Sequence, residues 1–373
     1  MLERIYNIEK ILKPNKALII YGSRRVGKTT LLKGFLNKTK LKYKFDTGDN
    51  ITIADILGSR DFKRIFEYCA GYEMIAIDEA QLIPGIGMGL KIIIDNLPKI
   101  FIIATGSSSF DLSRQIGEPL TGRKNTIILY PISQKELRLK FNNYELKQKL
   151  EDFLVFGAYP EIIMADTKNE KIKILEEIVN SYLLKDILAL EKIKSPKALV
   201  NLLKLLAFQV GNSVSLNELA IQLAIDVKTV ARYLDLLEKS FIIKAHWGFS
   251  RNLRKEIAKK GKYYFLDNGI RNAVISQFNS LKDRNDIGQL FENFIFSERL
   301  KKLAYDNIYG SLYFWRTYNG QEIDIIEERD GKLYGFEIKW KKDKIKPPKD
   351  WLLTYKNAEY KIINQDNYLE YIL

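Results

Sequence analysis

Ala17-Leu-Ile-Ile-Tyr-Gly-Ser-Arg-Arg-Val-Gly-Lys-Thr-Thr30 is the stretch on which the reading of this chain turns. Ala17–Tyr21 is a short apolar run bounded by a glycine, the pattern of a buried parallel strand. Gly22-Ser-Arg-Arg-Val-Gly27-Lys28-Thr29 follows, and residues 30–36 read as a helix. Strand, glycine-rich loop and helix form the context that the pattern GxxxxGK[ST] demands. The glycines let backbone N–H groups wrap phosphates, and the helix N-terminus adds its partial positive charge. Lys28 is expected to reach the β- and γ-phosphates, and the Thr29 hydroxyl to join a Mg²⁺ shell. Gly22, Arg25, Gly27, Lys28, Thr29 and Thr30 are therefore the residues expected against ATP, with Mg²⁺ as its companion.

Two further strands support that loop. Met74-Ile-Ala-Ile77 ends in Asp78-Glu79-Ala80-Gln81. Two carboxylates at the C-terminal end of an apolar strand form the Walker B arrangement, with Asp78 on the metal and Glu79 orienting the attacking water. Ile100-Phe-Ile-Ile-Ala-Thr105-Gly-Ser107-Ser-Ser109 is a third buried strand, and it ends in hydroxyls. Ligands of parallel sheets sit beyond the carboxyl ends of strands, so Thr105 or Ser107 falls where a γ-phosphate sensor would sit. A hydroxyl-rich turn capping the next helix is the alternative. Leu120-Thr-Gly-Arg123 then offers an arginine that either neutralises transition-state charge, in cis or from a neighbouring subunit, or is simply solvated.

Gly22–Thr30, Ile77–Gln81, Ala104–Ser109 and Leu120–Arg123 together resemble the AAA-type ATPases of archaea and bacteria that join a P-loop core to a C-terminal domain of unknown function. AAA+ proteins at large commonly carry asparagine at the sensor position, whereas this strand ends in Thr and Ser. The resemblance implies a helical lid over the nucleotide for residues 133–206. The residues themselves show only apolar and charged positions alternating at helical spacing, with Gly157 and Pro160 as breakers.

Residues 213–247 carry a sharper signal. Ser215-Leu-Asn-Glu218 fits a helix start with Ser215 as N-cap. Ile225-Asp-Val227 is a tight turn, and residues 228–239 form a second helix with Val230, Tyr233, Leu234 and Leu237 on one face. This is a helix-turn-helix, with residues 241–247 as a wing strand. Lys228, Thr229 and Arg232 fall on the exposed face and could meet DNA, while a protein–protein role is the alternative. Arg251, Arg254, Lys255, Lys259, Lys260 and Lys262 extend the basic surface or are merely solvated.

In the last third, Gln321–Ile326 and Leu333–Trp340 alternate polar and apolar residues around Asp330-Gly331, a strong signal for a two-residue hairpin turn. With those two residues at the turn, Asp324 lies opposite Glu337 and Glu322 opposite Lys339. All four point to one face, and Ile323, Ile325, Phe336, Ile338 and Trp340 to the other, the core face. Opposed carboxylates repel, so Lys339 or a divalent metal is expected between them. Glu292 on a helical stretch supplies a third acid. Acid from a helix, Asp from one strand and Glu-x-Lys from the next is the PD-(D/E)xK nuclease arrangement, in which Asp324, Glu337 and Glu292 would hold Mg²⁺ and Lys339 would help activate water. The Tyr263–Asn272, Leu290–Asn293, Phe314–Arg316, Glu322–Asp324 and Glu337–Lys339 segments resemble the same family, which implies a restriction-endonuclease-like fold. A salt-bridge cluster retained for structure is the alternative. Lys341, Lys342, Lys344, Lys346 and Lys349 add positive charge nearby.

Composition bounds the rest. A formal charge of +14 favours anionic partners, such as nucleic acid or an acidic membrane surface, or reflects a generally basic proteome. One cysteine, Cys69, precludes an intrachain disulfide and suits a reducing cytosol. One histidine, His246, excludes multi-histidine metal sites and is expected in a structural or surface role. The N-terminus does not read as a signal peptide, and no stretch approaches the ~20 apolar residues of a membrane helix, so a cytoplasmic protein is expected. The fold class expected is α/β, as four segments: a P-loop parallel-sheet core at 1–132, a helical lid or linker at 133–206, a winged helix at 207–250 and a restriction-endonuclease-like α/β domain at 251–373. ATP, nucleic acid, and a partner protein or second copy of the chain are the candidate partners.

Overall fold

The computed structural model describes residues 2–107, 116–180, 193, 195–250, 261–317, 319–342 and 346–373. Ser109, Arg251, Arg254, Lys255, Lys259, Lys260 and Lys344, named above, lie outside these residues. There are two compact units where four segments were expected: 1–131 with 239–241, and 132–238 with 242–373.

In the first unit β1 (Ala17–Tyr21), β2 (Tyr43–Thr47), β3 (Met74–Asp78), β4 (Phe101–Gly106) and β5 (Lys124–Ile128) form one sheet in the order β2-β3-β4-β1-β5. Every neighbouring pair is parallel, consistent with a P-loop core. β1, β3 and β4 read as near-continuous apolar runs because helices cover both faces of a parallel sheet. Ala17, Ile19, Ile75, Ile77, Ile102 and Ala104 are buried in one core cluster with Leu90 and Ile93 of the helix Ile86–Asn96. The order places β4 between β1 and β3, so the ends of all three open on the same edge.

The second unit holds a seven-stranded sheet. Its strands are β6 (Ser213–Val214), β7 (Ile243–Gly248), β8 (Gly261–Phe265), β9 (Leu312–Arg316), β10 (Glu322–Arg329), β11 (Lys332–Ile338) and β12 (Glu359–Ile363), in the order β12-β11-β10-β9-β7-β8-β6. The division at residue 250 is overturned by one pairing: β7 runs parallel to β9, with Trp247 beside Tyr313 and Gly248 beside Phe314. Those backbone bonds join the expected wing strand to the C-terminal hairpin in a single sheet. The hairpin has the expected register, with Ile325 facing Phe336 and Arg329 facing Lys332. Asp330 (φ 49°) and Gly331 (φ 73°) are both left-handed, as a two-residue turn of this hand requires. The strict alternation expected along β10 fails, because its pairing with β9 shifts between Ile323 and Ile326. A bulge adds one residue and resets the faces. Ile323 and Ile326 accordingly share one core cluster with Trp315 and Trp351.

The Leu266–Asn272 segment explains how the helices of residues 133–206 attach. Helices Leu150–Phe156, Lys168–Ile178 and Pro196–Phe208 all pack on the helix Asn268–Val274. Asn272 Nδ2 donates to the carbonyls of Leu154 and Val155 at 3.0 and 2.8 Å. Asn268 Nδ2 donates to Leu290 O at 2.9 Å, and Arg271 Nε to Ala207 O at 2.7 Å. Asp267 accepts the Ala158 N–H at 2.7 Å. A Cβ on Gly269 would strike the Phe156 carbonyl, so only glycine allows this approach. Asn272 and Arg271 thus satisfy carbonyls in the last turns of two helices, Leu154 and Val155 in one and Ala207 in the other, that would otherwise be buried without donors.

Candidate functional site

The loop after β1 is shaped by backbone conformations that most residues avoid. Gly27 has φ 93° and caps the helix Lys28–Leu36, and Arg25 is left-handed at φ 62°. A Cβ at Gly22 would collide with Leu129 O. Lys28 is buried, and its Nζ donates to the Gly22 and Ser23 carbonyls, both at 2.9 Å. Burial lowers its pKa to about 8, against the opposing pull of Glu79 and Asp78. Thr30 is exposed on the first turn of the helix. Arg4, which the sequence did not single out, holds the loop from behind. Its guanidinium donates to Val26 O at 2.6 Å and to Tyr130 O at 2.7 Å.

Thr29 Oγ1 donates to Asp78 Oδ2 at 2.7 Å, and Thr105 Oγ1 donates to the other Asp78 oxygen. The Glu79 N–H donates to Thr105 Oγ1 at 3.1 Å. Thr105 is fully buried, so of the two hydroxyls offered as sensor it is the one that braces Asp78. Ser107, one turn of chain further on, accepts from Gln81 Nε2 at 3.0 Å, and the same Nε2 donates to the Glu79 carboxylate. A hydroxyl and a carboxylate in contact at Thr29 and Asp78 are hard oxygen donors of the kind Mg²⁺ takes, so the residues present fit that ion.

Arg123 does not join them. Its backbone O accepts the Ala17 N–H at 2.9 Å, and Lys124 pairs with Ala17 at the start of β1, whereas the loop leaves the other end, after Tyr21. Five strand residues separate the two, roughly 16 Å. Its Nε instead meets Asp95 at 2.6 Å on the exposed surface. The expected role in cis is therefore overturned by sheet topology.

In the second unit, Lys262 of β8 stands among the acids expected to hold metal. It is 2% exposed, with Nζ 2.6 Å from Glu322, 3.5 Å from Glu292 and 3.8 Å from Asp324. Lys339 does not fill that place. Lys339 binds Glu337 at 2.7 Å. Glu292, on the helix Ile287–Tyr305, accepts from Tyr264 Oη at 2.5 Å, and Asp324 accepts the Ile338 N–H at 2.8 Å. Burial, then the neighbouring Asp324, pushes Glu292 up to about 7, and burial raises Asp324 and Glu337 as well. Burial alone would lower Lys262, but Glu292, Asp324 and Glu322 outweigh it and drive its pKa above the usual lysine range. Among the described residues no group of three or more His, Cys, Asp or Glu is disposed to hold a metal. The donor set already has its own cation and does not fit the expected Mg²⁺ site. The sequence hid this because Lys262 sits at the end of a basic run. Its one visible signal is position, two residues before Tyr264 and so on the same strand face.

His246, paired with Lys262 across β7 and β8, is buried with Nε2 3.1 Å from Asp324 O and packs against the rings of Tyr264, Phe296 and Phe314. Burial lowers its pKa from 6.5 to about 3. The folded pKa lies below the unfolded one, so the stabilisation is complete above pH 6.5 and is lost as pH falls towards 3. From pH 7 to pH 5 the wild type should lose about 2 kcal/mol more than His246→Phe, read from urea midpoints at each pH. Equal losses would contradict a neutral buried imidazole.

The helices Leu216–Leu223 and Val227–Lys239 occur as expected, with Ser215 accepting the Glu218 N–H. Lys228 and Arg232 are exposed. Thr229 is not available as a contact in the same sense, because its N–H and hydroxyl both donate to Asp226, at 2.8 and 2.6 Å.

Residues 14–138 match a family model described as an AAA domain, which supports an AAA-type P-loop ATPase for this region. Residues 147–281 and 287–366 match two domains of unknown function, DUF8612 and DUF4143. The first of these crosses both expected boundaries, at 206 and 250, and the fused sheet crosses the second. The chain is 27% identical to an uncharacterized protein of Haemophilus influenzae, over 94% of this chain and 89% of that one. It is also 27% identical to uncharacterized proteins of Methanocaldococcus jannaschii, over 86% and 74%, and of Mycobacterium tuberculosis, over 89% and 72%. A solved Vibrio cholerae protein, VC1899, aligns over 95% of this chain and 96% of its own at 10% identity, with a TM-score of 0.17, too low to signify a shared fold. Among the described residues no helix is long and apolar enough to cross a membrane.

Proposed function

We propose that the chain is a Mg²⁺-dependent ATPase whose nucleotide state governs a C-terminal half that binds nucleic acid and does not cut it. The observation that carries the first part is the unbroken hydrogen-bonded path from Thr29 through Asp78 and Thr105 to the backbone of Glu79, beside the loop that cradles Lys28. In this reading Lys28 and the loop N–H groups hold the phosphates, Thr29 and Asp78 hold Mg²⁺, and Glu79 orients water. Nucleic acid binding draws its support from the charge of +14 and from Lys228 and Arg232, exposed on the second helix of a winged-helix order of elements. Absence of cleavage is supported by Lys262 among Glu292, Glu322 and Asp324.

Phosphate release by the purified chain with ATP and Mg²⁺, with and without duplex DNA, tests the proposal. Glu79→Gln should retain ATP binding and lose turnover by on the order of 10²-fold or more. Tight ATP binding with no turnover in the wild type would instead favour a nucleotide-gated binding module. Failure to bind ATP at all would sink both.

A further inference from the structure

Asp78 ends β3, and the backbone then turns sharply. Glu79 adopts φ 49° and ψ 40°, and the single turn Ala80–Leu82 folds Gln81 back towards the strand end. The Gln81 amide thus arrives between two groups from different strands. Its Nε2 donates to the Glu79 carboxylate and, at 3.0 Å, to Ser107 Oγ just beyond β4. β3 and β4 are neighbours, with Ile77 beside Ala104, so the two acceptors share the edge on which the nucleotide loop opens. An amide nitrogen has two hydrogens, and two acceptors are met here.

We propose that Gln81 is a positioning residue for ATP hydrolysis, holding the Glu79 carboxylate in place and tying it to Ser107. The inference rests on the ATPase reading given above. Glu79 is only half-buried and sits on a left-handed residue, so neither packing nor regular backbone structure fixes its side chain. A bond to an ionised acceptor is strong enough to select one orientation. The residue type is specific to the task. Glutamate at 81 would set two carboxylates against each other. Asparagine is one methylene shorter and cannot span both partners. Methionine keeps the volume without the donor. The bond also makes Ser107 part of the base's support, so a phosphate that draws on the Ser107 hydroxyl acts on Glu79 through one side chain.

The test is steady-state hydrolysis of Mg²⁺-ATP by the full chain, together with the Kd of a non-hydrolysable ATP analogue and thermal unfolding. Gln81→Met and Gln81→Ala should lower kcat by on the order of 10- to 100-fold, leaving the analogue's Kd and the unfolding temperature unchanged. A residue that only supported the fold would move those two quantities with kcat. Ser107→Ala should lower kcat less, and Gln81→Ala with Ser107→Ala should fall no further than Gln81→Ala alone. Gln81→Met with Glu79→Gln should match Glu79→Gln alone. Wild-type hydrolysis that depends on Lys28, combined with a kcat for both Gln81 variants within two-fold of wild type, overturns this inference and leaves the ATPase reading standing. No Lys28-dependent hydrolysis in the wild type overturns the ATPase reading itself.

Discussion

Lys28→Ala is expected to lower ATP turnover at saturating Mg²⁺-ATP by roughly 10²- to 10³-fold, the size of effect seen when one preorganised donor to developing charge is removed. The side chain enters a loop from which water is largely excluded, and its ammonium is held by two carbonyls of that loop, Gly22 O and Ser23 O. Both bonds are to neutral acceptors. A phosphate oxygen is a better partner for a buried cation, so the ammonium gains most when charge accumulates at the γ-phosphate. Burial brings its pKa down to about 8, so the group remains mostly charged at pH 7. Removing it takes away that charge and also two bonds that hold the loop closed, so ATP affinity should fall as well. Lys28→Arg keeps the charge, but its planar fork does not fit the two carbonyls that a compact ammonium satisfies. Turnover measured as phosphate release, with binding of a fluorescent nucleotide alongside, separates the two losses. Unchanged turnover in Lys28→Ala would remove the loop from the mechanism.

Lys262→Met is expected to destabilise the second unit by about 3–5 kcal/mol, the cost of removing one partner from a buried ion cluster. Glu292, Glu322 and Asp324 all lie within 3.8 Å of its Nζ, and among the described residues no other cation has an ion pair to all three. Without it, Glu292 and Asp324 would be left close together and buried, and one would have to take up a proton. The double variant Lys262→Met with Glu292→Gln should recover part of the loss, because it removes a charge that the single variant strands. All four tryptophans, Trp247, Trp315, Trp340 and Trp351, lie in this unit, so tryptophan fluorescence in a urea titration reads it selectively. A loss below about 1 kcal/mol would mean that the cluster is as well solvated as a surface pair, and the argument against a metal there would fall with it.

The parts of this protein that could be read directly are those where the decisive partners are neighbours in sequence. The loop from Gly22 to Thr29 and the hairpin around Asp330-Gly331 are of this kind, and so is the cap at Ser215. Arg123 was legible as an arginine near a nucleotide motif, but not as one on the far edge of the sheet. Closeness in sequence to β4 says nothing about which end of β5 a loop enters. The bulge between Ile323 and Ile326 was equally hidden, because alternation predicts faces only while the ladder is regular. Gln81 looked like a polar residue after two acids, and its two acceptors became apparent only when the end of β4 was placed beside it.

The sequence by itself determined the loop of residues 22–29 between a strand and a helix, because backbone sterics act between adjacent residues. It also determined the acids that end β3 and the register of the C-terminal hairpin. Only the tertiary structure decided which cation answers Asp324, that β7 joins β9, and that Arg123 stands away from the loop. Each of those depends on strand order. Ionic and hydrogen-bonding partners are chosen by which strands lie side by side, and that is settled by packing of the whole sheet, not by any local run of residues.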